Sequence, residues 1–183
     1  EYRRSFELAK EFIGYAVRLG CPVIRTFVSN VGSARATPRQ WKRCISVLRE
    51  ICGIAAQKDI IFALETHPGQ LMDTTEMTLR LLREVDASNL KVLLDIWHLF
   101  NEGGDEPLKA LEKLFPYVVH IHAKNMLRSK EGAKVVSLSK GDMDYDLFFR
   151  RLREKDYKGF ISIEWFGDKP WEAAEHEINY LSS

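Results

Sequence analysis

Short apolar runs in the sequence end in acidic or histidine side chains at four places. These runs have the near-continuous apolar character that is typical of strands in a parallel sheet covered by helices. Because the carboxyl ends of parallel strands face one side, the side chains at those ends converge there. Three carboxylates and an imidazole brought together repel one another unless a cation lies between them, so the pattern predicts a metal site. The predicted ligands are Glu65, Asp95, His122 and Glu164.

The donor types indicate the class of metal. Oxygen ligands with one nitrogen suit Mn²⁺, Mg²⁺ or Co²⁺ in roughly octahedral geometry, and Zn²⁺ accepts the same ligands. We expect one divalent ion, with Mn²⁺ first among these. His120 shares a strand face with His122, because side chains alternate with period two. His122 is nearer the strand end and is the expected ligand. The alternative is that the four predicted ligands are ordinary polar groups at strand ends.

Two more histidines follow predicted ligands closely. His98 comes three residues after Asp95, and His67 comes two residues after Glu65. Each could contact a substrate or transfer a proton, or could be a loop histidine with a local hydrogen bond. The turn at Pro68-Gly69 would hold His67 at the rim of the site.

Basic side chains near the same strand ends could bind an anionic group. Arg25 lies at the inward-facing end of its strand, where it needs an anionic partner, either a core carboxylate or a carboxylate of the substrate. Lys124 and Arg128 follow His122 and could reach the mouth of the site. The alternative for both is a solvated charge on a loop.

Strand and helix patterns alternate along the chain, as they do in βα units. Strands are predicted at 22–27, 60–65, 92–95, 117–122 and 160–164, and helices at 3–19, from 38, from 73, from 107, near 145–155 and from 170. The first three predicted ligands recur about every 30 residues, close to the roughly 31 residues of each unit in a (β/α)8 barrel. Asp73 and Glu76 resemble a capping box at the start of a helix. Residues 125–142 are predicted to form one long loop.

This arrangement predicts an α/β fold of the (β/α)8 TIM-barrel type. The barrel is expected to be incomplete, because about five strands are recognisable and a barrel has eight. Residues 1–183 are expected to form a single domain. The alternative is a doubly wound open sheet, but polar residues at several successive strand ends favour a barrel mouth. Unpaired edge strands could pair with a second copy, so a homo-oligomer is a further expectation.

The composition argues against several classes of protein. The 183 residues carry 27 basic and 26 acidic side chains, and a net charge of +1 gives no support to a nucleic-acid partner. No apolar run approaches the roughly 20 residues of a membrane helix. The three cysteines are scattered and form no disulfide framework, which fits a cytoplasmic protein.

Four motifs resemble those of the xylose isomerase-like TIM-barrel superfamily, the sugar isomerase and epimerase group that also includes type IV AP endonucleases. They are Ala-Leu-Glu65-Thr-His67-Pro-Gly, Asn89-Leu-Lys-Val-Leu-Leu-Asp95-Ile-Trp-His98, His120-Ile-His122-Ala-Lys-Asn125 and Gly159-Phe-Ile-Ser-Ile-Glu164-Trp-Phe-Gly167. The resemblance covers nearly the whole chain, as the C-terminal two thirds of such a barrel. It implies metal ligands at the four positions predicted above.

Two groups within this superfamily imply roles for further residues. In ketose 3-epimerases, a His three after the Asp and an Arg six after the ligand His contact substrate, which implies His98 and Arg128. Those epimerases also carry a substrate-binding Glu at the position of Leu71. A closer likeness is to bacterial 3-dehydroshikimate dehydratases, which implies that Arg25 binds a substrate carboxylate and that His67 is the acid–base residue. That likeness is carried by Ile24-Arg25-Thr-Phe27, Leu64-Glu65-Thr-His67-Pro with Asp73-Thr74 and Glu84-Val-Asp86, and Ile163-Glu164-Trp-Phe-Gly167.

The chemistry shared by the superfamily is proton abstraction next to a carbonyl whose oxygen is bound to the metal. The resemblance therefore implies a metal-dependent enzyme that acts on a small carbonyl substrate (a sugar, a cyclitol or dehydroshikimate), and most specifically a dehydratase. In the alternative, a ketose or sugar-phosphate isomerase or epimerase, Glu65 and Glu164 would act on opposite faces of the substrate carbon. An AP endonuclease-like enzyme and an inactive fragment or binding module are the remaining alternatives.

Overall fold

The computed structural model describes residues 2–130 and 132–182, which form two sheets flanked by helices. The strands are β1 (Val23–Thr26), β2 (Ile61–Glu65), β3 (Leu90–Asp95), β4 (Val118–Ala123), β5 (Asn125–Ser129), β6 (Gly132–Val136) and β7 (Phe160–Ile163). The α-helices are α1 (Tyr2–Leu19), α2 (Pro38–Ala56), α3 (Thr75–Val85), α4 (Ile96–Asn101), α5 (Pro107–Leu114), α6 (Tyr145–Glu154) and α7 (Pro170–Ser182).

The main sheet has five parallel strands in the order β1-β2-β3-β4-β7, so their spatial order follows the order in the chain. A doubly wound sheet reverses its strand order at a switch point, and this sheet does not. The sheet is a curled half-barrel, which confirms the predicted incomplete TIM barrel and excludes the open-sheet alternative. All five carboxyl ends therefore lie on the same side.

The helix α2 shows how the sequence builds the outer layer. The Thr37 side chain accepts a hydrogen bond from the Gln40 amide, and the Gln40 side chain accepts one from the Thr37 amide, with Pro38 in the first turn. Such a capping box satisfies amide groups that would otherwise lack partners. The apolar stripe of this helix packs into the core through Trp41, Ile45, Leu48, Ile51, Cys52 and Ala55.

The predicted cap of α3 is wrong by one residue. Thr74 is the cap, and its hydroxyl accepts a hydrogen bond from the Met77 amide at 3.2 Å. The carboxylate of Asp73 accepts a hydrogen bond from the Ser33 amide at 2.8 Å instead. Asp73 therefore ties the loop after β1 to the start of α3, a role set by a contact 40 residues away in the chain.

The segment 125–142 is not a simple loop. It contains the antiparallel hairpin of β5 and β6, followed by a short 3₁₀ turn at Leu138–Lys140. The short helix α4 was also not predicted; it begins directly after β3, where the Asp95 side chain accepts a hydrogen bond from the His98 amide at 3.3 Å. Across the described ranges, no helix combines the length and the apolar character needed to cross a membrane.

Candidate metal centre

The four predicted ligands converge at the carboxyl ends of the sheet. Each offers one ligand atom, and these atoms all lie within 4.8 Å of one another. Glu65 and Asp95 end β2 and β3, His122 is the penultimate residue of β4, and Glu164 directly follows β7. The first three are buried and Glu164 is partly exposed. Parallel pairing of neighbouring strands thus brings together residues that lie far apart in the sequence.

The imidazole of His122 lies between two of the carboxylates. Its Nδ1 is 3.1 Å from Oε1 of Glu164 and 3.4 Å from Oε1 of Glu65. Burial lowers the pKa of His122, but the two carboxylates outweigh burial and raise this pKa to about 9. The contact with His122, together with the nearby ammonium of Lys124, lowers the pKa of Glu164 to about 2 despite burial.

The ammonium of Lys124 lies inside the cluster. Its Nζ is 2.6 Å from Oδ2 of Asp95, 2.8 Å from Oε2 of Glu164 and 2.9 Å from Nε2 of His98. The side chain is 4% exposed, so it is not a solvated loop charge. Burial lowers the pKa of Lys124, but the two carboxylates outweigh burial and hold this pKa above its ordinary value. Burial raises the pKa of Asp95 to about 6, although the ammonium of Lys124 opposes the shift.

The guanidinium of Arg25 forms an ion pair with the buried carboxylate of Glu65. It also lies over the ring of Phe27, with Cζ 4.7 Å from the ring centroid. The Arg25 side chain is 46% exposed. Its anionic partner in the protein is therefore a core carboxylate, while the exposed part of the side chain faces solvent and can meet a second anion.

The predicted pair of histidines lies beside the cluster. The rings of His67 and His98 have centroids 4.4 Å apart. The Nδ1 of His67 donates a hydrogen bond to the carbonyl of Pro68 at 2.8 Å, which leaves Nε2 of a neutral ring with its lone pair. Burial, with help from Lys124, lowers the pKa of His98 to about 3, so this ring is neutral and accepts a hydrogen bond from Lys124.

The contacts of Arg128 are with residues other than the four predicted ligands. Its Nε is 2.8 Å from Oδ2 of Asp142, its Nη1 is 3.4 Å from Oδ1 of Asn101, and its guanidinium lies over the ring of Phe100. The side chain is 48% exposed on β5. Of the predicted substrate-binding residues, the structure thus brings Arg25, His98 and Lys124 into direct contact with predicted metal ligands and pairs Arg128 with Asp142 instead.

Sequence reasoning did not select two residues that hold this site together. Thr66 and Tyr145 are buried, and their hydroxyls bind the main chain of Asp95 and Lys124 respectively. A signal for Thr66 was available, because it directly follows a predicted ligand. Tyr145 approaches from 21 residues along the chain, and no local pattern links it to Lys124.

The donor set fits a divalent cation. Within residues 2–130 and 132–182, Nδ1 of His122 and Oδ2 of Asp95 are buried atoms without a hydrogen bond of good geometry, although charged groups lie close to both. Such atoms need a partner that accepts short contacts from several donors at once, as a metal ion does. Carboxylate oxygens with one imidazole nitrogen are ligands that Mn²⁺ and Mg²⁺ accept.

Comparison with known proteins places these observations in a family context. The family model described as "Xylose isomerase-like TIM barrel" matches residues 1–183. A 3-dehydroshikimate dehydratase of Bacillus anthracis is 33% identical over 175 residues, which are 87% of this chain and 61% of that protein. A putative hydroxypyruvate isomerase of Homo sapiens is 28% identical over 174 residues, 90% of this chain and 60% of that protein. The chain thus spans about 60% of the length of these relatives.

A solved structure shows the same arrangement of elements. The crystal structure of the probable 3-DHS dehydratase AsbF from Bacillus anthracis superimposes with a TM-score of 0.91 at 30% sequence identity. The match covers 100% of this chain and 71% of that chain.

Proposed function

Because the chain belongs to the xylose isomerase-like TIM barrel family, we propose that it is a divalent-metal-dependent enzyme that removes a proton next to a carbonyl group. In its most specific form, the proposal is that the chain is a 3-dehydroshikimate dehydratase-like lyase. The observation that carries the proposal is the convergence of four ligand atoms within 4.8 Å, with Lys124 inside the same cluster. Three carboxylates held this close together repel one another unless cations lie between them.

The metal would be held by four side chains, Glu65, Asp95, His122 and Glu164. Mn²⁺ is the first candidate, and Mg²⁺, Co²⁺ and Zn²⁺ fit the same donor types. When bound, the ion supplies a Lewis acid that polarises the substrate carbonyl and makes the neighbouring C–H more acidic. His122 must release its proton to serve as a ligand, and Lys124 must share Asp95 and Glu164 with the ion.

His67 is the proposed acid–base residue. Its Nδ1 is hydrogen-bonded to the carbonyl of Pro68, so Nε2 is the atom that can take the proton from the substrate carbon. In a dehydratase, the bond from the β-carbon to its hydroxyl then breaks, and the hydroxyl takes the proton back from Nε2 and leaves as water. His98, neutral and bonded to Lys124, holds the ring of His67 in place through their contact.

The basic residues support a substrate that carries a carboxylate. Arg25 is about half exposed beside Glu65, so it can bind an anion without losing its partner in the protein. Arginine binds carboxylates through two parallel hydrogen bonds, which fixes their orientation. Lys124 would contact the reacting part of the substrate, because its ammonium lies among the proposed metal ligands.

A ketose or sugar-phosphate isomerase or epimerase is the second candidate. It is favoured by the position of His122 between Glu65 and Glu164, which places one carboxylate on each side of a ligand. One glutamate would then act as base and the other as acid. Arg128 would contact the substrate in this case, and it would have to give up its ion pair with Asp142 to do so.

The test is turnover of 3-dehydroshikimate by the purified chain with Mn²⁺, followed by the ultraviolet absorbance of the aromatic product. Product formation that stops with EDTA and returns with Mn²⁺ supports the dehydratase. Conversion of ketoses in place of 3-dehydroshikimate supports the second candidate. Failure to bind Mn²⁺ would contradict both.

A further inference from the structure

Two buried hydroxyls each bind both main-chain groups of a single residue. The Thr66 hydroxyl donates to the carbonyl of Asp95 at 3.1 Å and accepts from the amide of Asp95 at 2.9 Å. The Tyr145 hydroxyl donates to the carbonyl of Lys124 at 2.9 Å and accepts from the amide of Lys124 at 3.1 Å. Thr66 is fully buried and Tyr145 is 1% exposed.

The two residues held in this way lie where the ladder of the main sheet ends. Asp95 is the last residue of β3, and Lys124 is the first residue after β4. Main-chain groups at such positions have lost their regular strand partners, and a buried group without a partner is costly. In each case one hydroxyl replaces both missing partners and fixes the peptide units on either side.

These two residues are also partners of each other. The Nζ of Lys124 lies 2.6 Å from Oδ2 of Asp95, inside the proposed metal centre. Each end of this ion pair is thus anchored through its own main chain by a hydroxyl from a different element: Thr66 follows β2, and Tyr145 is the first residue of α6.

We propose that Tyr145 and Thr66 are positioning residues, which set the ammonium of Lys124 and the carboxylate of Asp95 relative to each other through hydrogen bonds to the main chain. The role in catalysis rests on the function proposed above. The role in the geometry of the cluster is independent of that function, and it can be measured without substrate.

The surroundings of Tyr145 hold its ring and hydroxyl in one position. Its ring packs against Phe148 and Phe149 of α6, with centroids 5.8 Å and 5.1 Å away. Burial raises the pKa of Tyr145 well above its ordinary value, so the hydroxyl keeps the proton that it donates. The side chain of Asn125, the next residue after Lys124, is bonded to the carbonyls of Leu138 and Met143, which holds the following peptide as well.

The experiment for Tyr145 compares Tyr145→Phe with Tyr157→Phe in the full chain, without metal or substrate. Tyr157→Phe is a matched control, because it also removes a hydroxyl that donates to a main-chain carbonyl, that of Phe160. Limited acylation followed by peptide mass spectrometry gives the labelling rate of each lysine. We expect Lys124 to be labelled about tenfold faster in Tyr145→Phe, with the exposed Lys109 unchanged and Tyr157→Phe at the rates of the unmodified chain. Labelling of Lys124 at an unchanged rate in Tyr145→Phe overturns the proposal for this residue.

Thr66 is tested by the pair Thr66→Val and Thr66→Ser, with Mn²⁺ affinity as the readout. Valine keeps the shape and removes the hydroxyl, whereas serine keeps the hydroxyl. We expect weaker Mn²⁺ binding in Thr66→Val, by about tenfold, and recovery in Thr66→Ser. Equal affinities in the two variants overturn the role of Thr66.

If Tyr145→Phe does not fold, hydrogen exchange of the unmodified chain decides the question. The Lys124 amide is then expected to exchange as slowly as the amides of β4, and exchange at the rate of an open loop overturns the proposal. A chain that shows the labelling and affinity differences but turns over no substrate would retain the positioning role and lose the proposed reaction.

Discussion

The imidazole ring of His67 lies against the ring of His98, with centroids 4.4 Å apart and ring planes inclined by 55°. His98 in turn accepts a hydrogen bond from Lys124, whose ammonium contacts Asp95 and Glu164. A line of contacts therefore runs from Asp95 and Glu164 through Lys124 and His98 to His67. The ring nitrogen of His67 that remains for proton transfer is Nε2, because Nδ1 is bonded to the main chain.

We predict that His67→Asn lowers kcat for the dehydratase reaction by about 10²- to 10⁴-fold, the usual contribution of a general acid–base group. KM should change little, because the metal ligands and Arg25 remain. Steady-state kinetics with 3-dehydroshikimate measure both constants. His176→Asn is the control, since His176 is about half exposed on α7. Equal losses in the two variants would contradict the assignment of His67.

Glu164→Gln should abolish detectable turnover. The change removes a charge that faces both His122, at 3.1 Å, and Lys124, at 2.8 Å. It also removes an anionic donor from the proposed metal centre, so Mn²⁺ binding measured by calorimetry should weaken. The control is Glu112→Gln. Glu112 lies on α5 and forms surface ion pairs with Arg151 and Lys155, so the change also removes a paired carboxylate. An unchanged rate in Glu164→Gln would refute the assignment.

Arg25→Met should raise KM for 3-dehydroshikimate by about 10- to 100-fold, the worth of a hydrogen bond between charged groups. The half-exposed guanidinium is the proposed partner of the substrate carboxylate. A neutral ketose has no such group, and its KM should be affected far less. Comparing the two substrate classes in this variant, with Arg18→Met of α1 as the control, therefore separates the two candidate functions.

The stability of the metal-free protein should depend on pH through His122. Its folded-state pKa of about 9 lies above the ordinary value of 6.5, so the protonated ring stabilises the fold fully below pH 6.5. This contribution is lost as the pH rises through about 9. In urea unfolding with EDTA, the free-energy difference between the unmodified chain and His122→Gln should therefore shrink between these two pH values.

The neighbouring His120 provides the control for this measurement. Its Nε2 is 2.8 Å from the hydroxyl of Ser162, and burial lowers its pKa. The difference between the unmodified chain and His120→Gln should therefore change with pH only below 6.5. A difference for His122→Gln that stays constant up to alkaline pH would show that the ring is not held in its charged form.

Much of the fold could be predicted because its signals are local. Each strand of the main sheet is a short apolar run, and the polar residue at its end marks the side on which the site lies. The positions of Glu65 and Asp95 at the ends of β2 and β3 follow from this pattern. The burial of Lys124 could not be predicted, because the carboxylates that make it tolerable belong to Asp95 and Glu164, at the ends of other strands. A lysine after a strand looks the same in sequence whether it is solvated or enclosed.

Two predictions were wrong, the cap of α3 and the single loop at 125–142, and both errors have the same physical origin. Asp73 has the type and position of a helix cap, yet its carboxylate accepts a hydrogen bond from the amide of Ser33, on another loop. The hairpin of β5 and β6 has no strong alternation of apolar and polar residues, and its inner end is held by Asn125. Contacts of this kind depend on the assembled fold. The sequence alone therefore predicts where the segment 125–142 lies in the chain but not its conformation.

One side chain joins the two ends of that hairpin segment. Asn125 accepts hydrogen bonds from the amides of Met126 and Met143 and donates to the carbonyls of Met143 and Leu138. A Cβ at Gly141 would overlap the Asn125 side chain, so glycine is needed for this close approach. Asn125 therefore closes the base of this segment, together with the ion pair of Arg128 and Asp142. We expect the outer part of the hairpin to tolerate a change of length better than this base does, because Lys124 is held by Tyr145 rather than by the hairpin.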